Sequence, residues 1–269
     1  MRGPLCRMLP VVLLALACLY TYRLVIPEAH TYAATDISAL GAATLNGTIS
    51  VTASSDTAIT VDVARHAYGR DSSDAAKALA NVVYGDTVIG RELKIKADMP
   101  SSDRPYGADF DIAAPETLDL SLSTTNGSIT VTSLAGDIRA STTNGNVQLT
   151  GTTGSATLST TNGKLVVQVH SGTVHGTTSN GTIDCDVSSL GAADSVDLET
   201  TNGKVTLLLP VDVSALIDAT NTNGSITFYD YTVTYNTQTS NHVRGTIGSG
   251  ASPIMITTTN GDIVVRRRS

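Results

Sequence analysis

Leu120-Ser121-Leu122-Ser123-Thr124-Thr125-Asn126-Gly127-Ser128-Ile129-Thr130-Val131 returns 18 residues later as Ile138-Arg139-Ala140-Ser141-Thr142-Thr143-Asn144-Gly145-Asn146-Val147-Gln148-Leu149. Thr-Thr-Asn-Gly recurs at 160–163, 200–203 and 258–261, with relatives at Thr178-Ser179-Asn180-Gly181 and Asn221-Thr222-Asn223-Gly224. The Asn-Gly pairs are 18 apart from Asn126 through Asn144 and Asn162 to Asn180. Spacings of 22, 21 and 37 then lead to Asn202, Asn223 and Asn260. Half-way between the early copies a second glycine recurs, at Gly136, Gly154 and Gly172. The unit is therefore about nine residues long.

With Asn as position 4 and Gly as position 5, positions 7 and 9 carry Ile129 and Val131, Ile138 and Ala140, Val147 and Leu149, and so on to Ile263 and Val265. None of them is polar. Positions 6 and 8 are mostly polar, as in Ser128, Asp137, Asn146, Thr130, Arg139 and Gln148. That alternation is the period of a half-buried strand. Each unit reads as a short strand and a turn, whose Gly is expected to supply a positive φ. One such strand buries almost nothing, but coils stacked about 4.8 Å apart share a continuous core. The expected fold is all-β, a right-handed parallel β-helix with half-coils of about nine residues. About seven coils make a rod roughly 30 Å long. Asn126, Asn144, Asn162, Asn180, Asn202, Asn223 and Asn260 are expected to form an inward amide ladder, in which stacked carboxylates would repel. The rival is an antiparallel meander with Asn-Gly hairpin turns.

Composition agrees. The 269 residues include 40 Thr and 23 Gly but only 4 % aromatics and 15 % charged residues. Net charge is −7, which disfavours nucleic acids as partners. Good helix formers do not lie in long runs, so an all-helical protein is excluded.

Arg2 and Arg7 precede an apolar run from Leu9 to Tyr22, a charged n-region and an h-region of signal-peptide length. Three fates stay open. Cleavage near Thr31-Tyr32-Ala33 would release an exported protein whose net charge is 14 − 23 = −9, since Arg2, Arg7, Arg23 and Glu28 go with the leader. Leu14-Ala15-Leu16-Ala17-Cys18 resembles a lipobox that would lipidate Cys18. The segment could also be retained as an anchor, the chain's one contact with a membrane. Cys6, Cys18 and Cys185 are the only cysteines, so Cys185 has no disulfide partner in the mature chain.

Residues 1–33 are thus a leader or anchor, and 121–269 the repeat. Residues 34–120 read as its N-terminal cap, which shields an edge that would otherwise recruit strands. Within the cap, Asp71–Val83 reads as a short helix and Ala58–Val63, Glu92–Ala97 and Asp109–Ala113 as strands. An insertion at 229–250 carries Tyr229, Tyr231 and Tyr235.

Three stretches together resemble the bacterial β-strand-repeat family of unknown function labelled "putative adhesin", and related adhesin-head domains. They are Asp109–Pro115 leading into Leu120–Gly127, the tandem Thr-Thr-Asn-Gly units, and Gly245–Gly250 followed by Pro253–Ile263. The likeness covers about 40–269. It implies an exported β-solenoid and brings no catalytic motif.

The search for chemistry agrees. Asp184 and Asp186, with Asp197 one coil away, form the best acidic cluster, and an exposed strand row explains them. His170 and His175 lack metal-ligand spacing. The turns carry neutral Asn where calcium-binding rolls carry Asp. Cys185 falls on an inward position and reads as a small core residue. The sequence therefore predicts no enzyme, no metal and no cofactor. It predicts an exported envelope protein (periplasmic, surface or extracellular) that binds or scaffolds, with Tyr229, Tyr231 and Tyr235 as ligand contacts. A glycan or another envelope protein is the expected partner. The alternatives are a carbohydrate-active β-helix and a membrane-anchored envelope-stress accessory protein.

Overall fold

Why Thr-Thr-Asn-Gly recurs is answered at the corner it builds. The computed structural model describes residues 20–100 and 105–268; Cys18 and the h-region up to Leu19 lie outside them. In chain order come β1 (Tyr22–Ala33), β2 (Ala39–Asn46), β3 (Ile49–Ser54), β4 (Ala58–Gly69), helix α1 (Ser72–Leu79), β5 (Val83–Ile89), β6 (Glu92–Asp98) and β7 (Tyr106–Pro115). The repeat supplies β8 (Asp119–Asn126), β9 (Ile129–Thr132), β10 (Ile138–Asn144), β11 (Val147–Thr150), β12 (Thr153–Asn162), β13 (Leu165–Asn180), β14 (Ile183–Ser189), β15 (Val196–Asn202) and β16 (Val205–Leu209). Last come β17 (Ala215–Asn223), β18 (Ile226–Tyr229), β19 (Thr234–Gln238), β20 (His242–Ile247), β21 (Ser252–Asn260) and β22 (Ile263–Arg267).

These strands form two flanks facing a shared core. One runs β5-β6-β2-β8-β10-β12-β13-β15-β21-β17-β20-β19. The other runs β1-β4-β7-β3-β9-β11-β13-β14-β16-β22-β18. Within the repeat the pairing is parallel and in register, Val147 lying between Ile129 and Leu165. The fold is therefore all-β and solenoid-like, and the meander is excluded. Positions 7 and 9 are buried throughout except Ile226 and Phe228 of β18, which are half-buried.

Each residue of the Thr-Thr-Asn-Gly corner has its own task. The first Thr points inward. Thr160 is 6 % exposed and its hydroxyl donates to Gly145 O at 2.9 Å; Thr142, Thr178, Thr200 and Thr258 repeat this at 2.9–3.1 Å. Asn residues bond along the stack, Nδ2 of Asn144, Asn162, Asn180, Asn202, Asn260 and Asn223 each donating to the neighbouring Asn Oδ1 at 2.8–3.0 Å. Asn126 continues the row to Asn46 at 2.7 Å. This row runs along the exposed corner, not inside, because the preceding Thr already fills the interior. The expected positive φ is found at Gly47 and Gly224 of this corner (155° and 143°) and at Gly154 and Gly172 midway between corners (117° and 119°), whereas most of the corner glycines are needed for closeness alone. A Cβ on Gly145, Gly163, Gly181 or Gly203 would sit 1.8–1.9 Å from the preceding coil's glycine oxygen.

At the opposite corner the left-handed backbone falls on one equivalent residue of three successive coils. Ser133, Gly151 and Val169 take φ of 61°, 63° and 56°, one per coil. Gly151 accepts this freely; Val169, β-branched and 44 % exposed, is strained. Val169→Gly is expected to raise stability by about 1 kcal/mol, relief of strain outweighing the added chain entropy. Thermal unfolding checks it, as a Tm increase of roughly 2–4 °C.

The two ends depart from chain order. β6/β7 and β8/β9 flank β2/β3, so the cap joins the stack out of sequence. At the far end β21/β22 enters between β15/β16 and β17/β18. The expected helix is shorter than 71–83: Asp71 caps it by accepting from Asp74 N at 2.8 Å, and it ends at Leu79. Residues 22–33, assigned to the leader by the sequence reading, are strand β1.

Candidate functional site

The expected tyrosine cluster does not converge. Tyr231 turns inward, and its hydroxyl donates to Leu209 O and Pro210 O at 2.8 Å; burial pushes the phenol up to about 12. Tyr229 lies on the other flank under Arg266, whose guanidinium carbon is 4.7 Å from the ring centroid. Tyr235 stands exposed on β19, opposite Gly245. The acidic cluster also separates. Asp184 pairs with Lys164 and Asp186 with Arg268, both on the β14 flank, while Asp197 sits on the other flank 3.1 Å from His175.

Cys185 is buried between Val167 and Leu207, and burial pushes its thiol up. His170 is fully buried and His175 faces outward, so the two share nothing. Among the described residues no group of three or more His, Cys, Asp or Glu is placed to hold a metal ion.

His170 has a structural task. Its Nε2 donates to Thr173 O at 3.2 Å, which leaves Nδ1 to accept from the Thr152 hydroxyl at 2.8 Å. Burial holds the imidazole below its ordinary 6.5. The unfolded chain therefore takes up this proton first, and stability falls as pH drops below about 6.5 toward the lower native value. Thermal unfolding at about pH 7.5 and about pH 5 is expected to show a Tm decrease that is smaller in His170→Gln.

What the fold does assemble is a groove on the flank formed by β15, β21, β17 and β20. Asp197, Met255 and Asp218 are adjacent in register, with Arg244 next in line. Leu216 and Pro253 pair one step before them. The groove encloses about 340 Å³, with Leu216, Pro253 and Met255 as an apolar floor. Met255 is 55 % exposed. Its rim is charged: His242 Nε2 lies 2.9 Å from Asp218 Oδ1, and Arg244 Nε is 4.0 Å from Asp218 Oδ2. His175 completes the other side through Asp197.

Sequence reasoning missed this site because its residues come from separate segments at 195–197, 216–218, 244 and 253–255. One signal was present. Pro253 and Met255 occupy positions 6 and 8, which elsewhere are mostly polar. A second groove of about 400 Å³ lies near the N-terminal end, between β1, β4, β7 and β3. It is ringed by carboxylates, and there Asp62 and Asp111 face each other in register.

The fold and its groove define a parallel-stranded, solenoid-like all-β protein with a ligand-sized recess on one flank. The chain belongs to the Toastrack DUF4097 family, whose model matches residues 44–266. No curated protein matches it. Among solved structures it is similar to a "putative cell adhesion protein" from Clostridium sporogenes, at 12 % identity and TM-score 0.40, covering 91 % of this chain and all of that one. It is also similar to a "putative adhesin" from Bacteroides fragilis, at 13 % and 0.40, covering 90 % and 97 %. A "putative lipid binding protein" from Parabacteroides distasonis follows at 12 % and 0.28, again covering 90 % and 97 %.

Proposed function

We propose that the protein is a non-catalytic binding scaffold of the cell envelope that holds a neutral sugar chain in the Met255 groove. The observation that supports this is the groove itself, three apolar side chains in an otherwise polar outer row, set between two carboxylates and a guanidinium. A pyranose ring has an apolar C–H face and a fringe of hydroxyls. Leu216, Pro253 and Met255 cover the first; Asp197, Asp218 and Arg244 bond the second. Net charge of −7 works against polyanions. Export rests on the charged and apolar N-terminal segment. The coil is taken as right-handed, the sense that connections between parallel strands almost always adopt.

The test is an immobilised panel of neutral and acidic envelope oligosaccharides, probed with the full-length protein, followed by product analysis. Expected are binding to neutral chains, no shortened products, and loss of binding in Met255→Asp with unchanged thermal unfolding. Hydrolysis that Asp218→Asn abolishes would establish the enzyme instead. Binding kept by Met255→Asp and lost in Tyr235→Ala would move the site to the insertion.

A further inference from the structure

β1 is not an ornament of the fold. It pairs antiparallel with β4 along its whole length, from Tyr22 opposite Gly69 to Ala33 opposite Ala58. Its side chains close the N-terminal end of the core. The Tyr32 hydroxyl lies 2.8 Å from the Tyr84 hydroxyl, and the His30 ring stacks on Tyr84 at 4.4 Å. Tyr84 in turn meets the edge of Phe110, a fully buried ring at the start of the core, at 6.3 Å. Glu28 pairs with Arg65, whose Nη1 donates to Val82 O at 2.8 Å and so fixes the chain entering β5. Cleavage near Thr31-Tyr32-Ala33 would remove this entire strand. Arg65 would lose its carboxylate, Tyr84 its two partners on β1, and β4 would become an open edge of the kind that recruits foreign strands.

The sequence upstream of β1 is the apolar run Leu9–Tyr22, which reaches the first residue of the strand with no linker between. Where the strand begins, Tyr22, Val25 and Ile26 are exposed. The Arg23 guanidinium carbon stands 5.8 Å from the Tyr68 ring centroid, and Arg70, two residues beyond Tyr68 and paired with Asp74, is exposed. Tyrosines and arginines at the mouth of an apolar segment are the side chains that settle at the headgroup level of a bilayer. Among the described residues no helix is long and apolar enough to cross a membrane.

We propose that processing spares β1, and that the chain upstream of Tyr22 holds the N-terminal end of the solenoid against a lipid bilayer. The solenoid is then a post standing on the membrane. The groove between β15, β21 and β17 lies near its far end, roughly 35 Å up at about 4.8 Å per strand. What the groove binds rests on the reading above; the tether does not.

The experiment uses the full-length chain with a C-terminal tag, expressed in a bacterial host. Membrane and soluble fractions are separated after a carbonate wash, and the N-terminal peptide of each is mapped by mass spectrometry. The expected result is protein in the washed membranes, with an N-terminus upstream of Tyr22 and a peptide that begins at Leu24 only because trypsin cut after Arg23. An acyl group on an N-terminal Cys18 and an intact Met1 both satisfy the proposal, since each keeps β1 and a hold on lipid. Soluble protein whose first residue lies between Thr31 and Ala34 overturns it. So does membrane protein released by carbonate with no upstream residues attached. Neither readout depends on sugar binding, so the tether and the groove fail independently.

Discussion

Gly163→Ala is expected to destabilise the fold by roughly 3 kcal/mol or more. The new methyl carbon would lie 1.8 Å from Gly145 O and 3.0 Å from the Thr160 hydroxyl oxygen. The first neighbour is backbone, held in register by the Asn162–Asn144 amide bond and the strands on either side. Relief therefore requires two coils to move apart. That breaks the hydrogen bond from Gly145 N to Asn162 O and the one from the Thr160 hydroxyl to Gly145 O. Overpacking of this kind costs roughly 3 kcal/mol or more, because the closest contact is backbone and not the end of a flexible side chain. Gly85→Ala is the control. A Cβ there meets nothing within 4 Å, and loss of chain entropy in the unfolded state makes it neutral or slightly stabilising. Circular dichroism and thermal unfolding of the pair distinguish a steric requirement from a general intolerance of Ala.

Leu149→Ala is the second large effect, at about 4 kcal/mol. Leu149 is fully buried between Val131 and Val167 in its row. In a globular core the surroundings partly collapse into the space left by such a truncation, and costs of roughly 2–5 kcal/mol reflect how far they can. Here the neighbours cannot approach. Their backbones are held apart by ladder hydrogen bonds on both sides of the strand, so the cavity stays open and the cost falls in the upper part of that range. Denaturant unfolding measures it as a shift in midpoint with an unchanged slope. A loss below about 1 kcal/mol would mean that the coils slide toward each other.

The period of the repeat was legible because it is a contact pattern. Residues 18 apart become direct neighbours, so the apolar positions 7 and 9 could be read as inward from the sequence alone. The roles within Thr-Thr-Asn-Gly were less so. Thr124, Thr142 and Thr160 are polar, and nothing in their pattern marked them as inward; a hydroxyl that bonds a Gly oxygen of the adjacent coil is welcome inside. Glycine was read as a backbone-angle device, which holds at Gly47, Gly154, Gly172 and Gly224; at Gly145, Gly163, Gly181 and Gly203 the constraint is the distance between coils, which one coil's sequence does not express.

Strand order at the ends was hidden for another reason. The spacing of 37 between Asn223 and Asn260 showed that something intervenes, but not that β21 would slip between β15 and β17. That exchange creates the groove. It brings Met255 between Asp197 and Asp218, residues whose own repeat units are contiguous in sequence without it. The odd apolar pair Pro253 and Met255 was visible, and its meaning was not.

Hydrogen–deuterium exchange of the full-length protein, with and without the best-bound neutral oligosaccharide, tests the binding account most directly. The account predicts slowed exchange confined to residues 195–197, 216–218, 242–244 and 253–255. Slowed exchange at 229–238 with the groove unchanged, or no change anywhere, would contradict it.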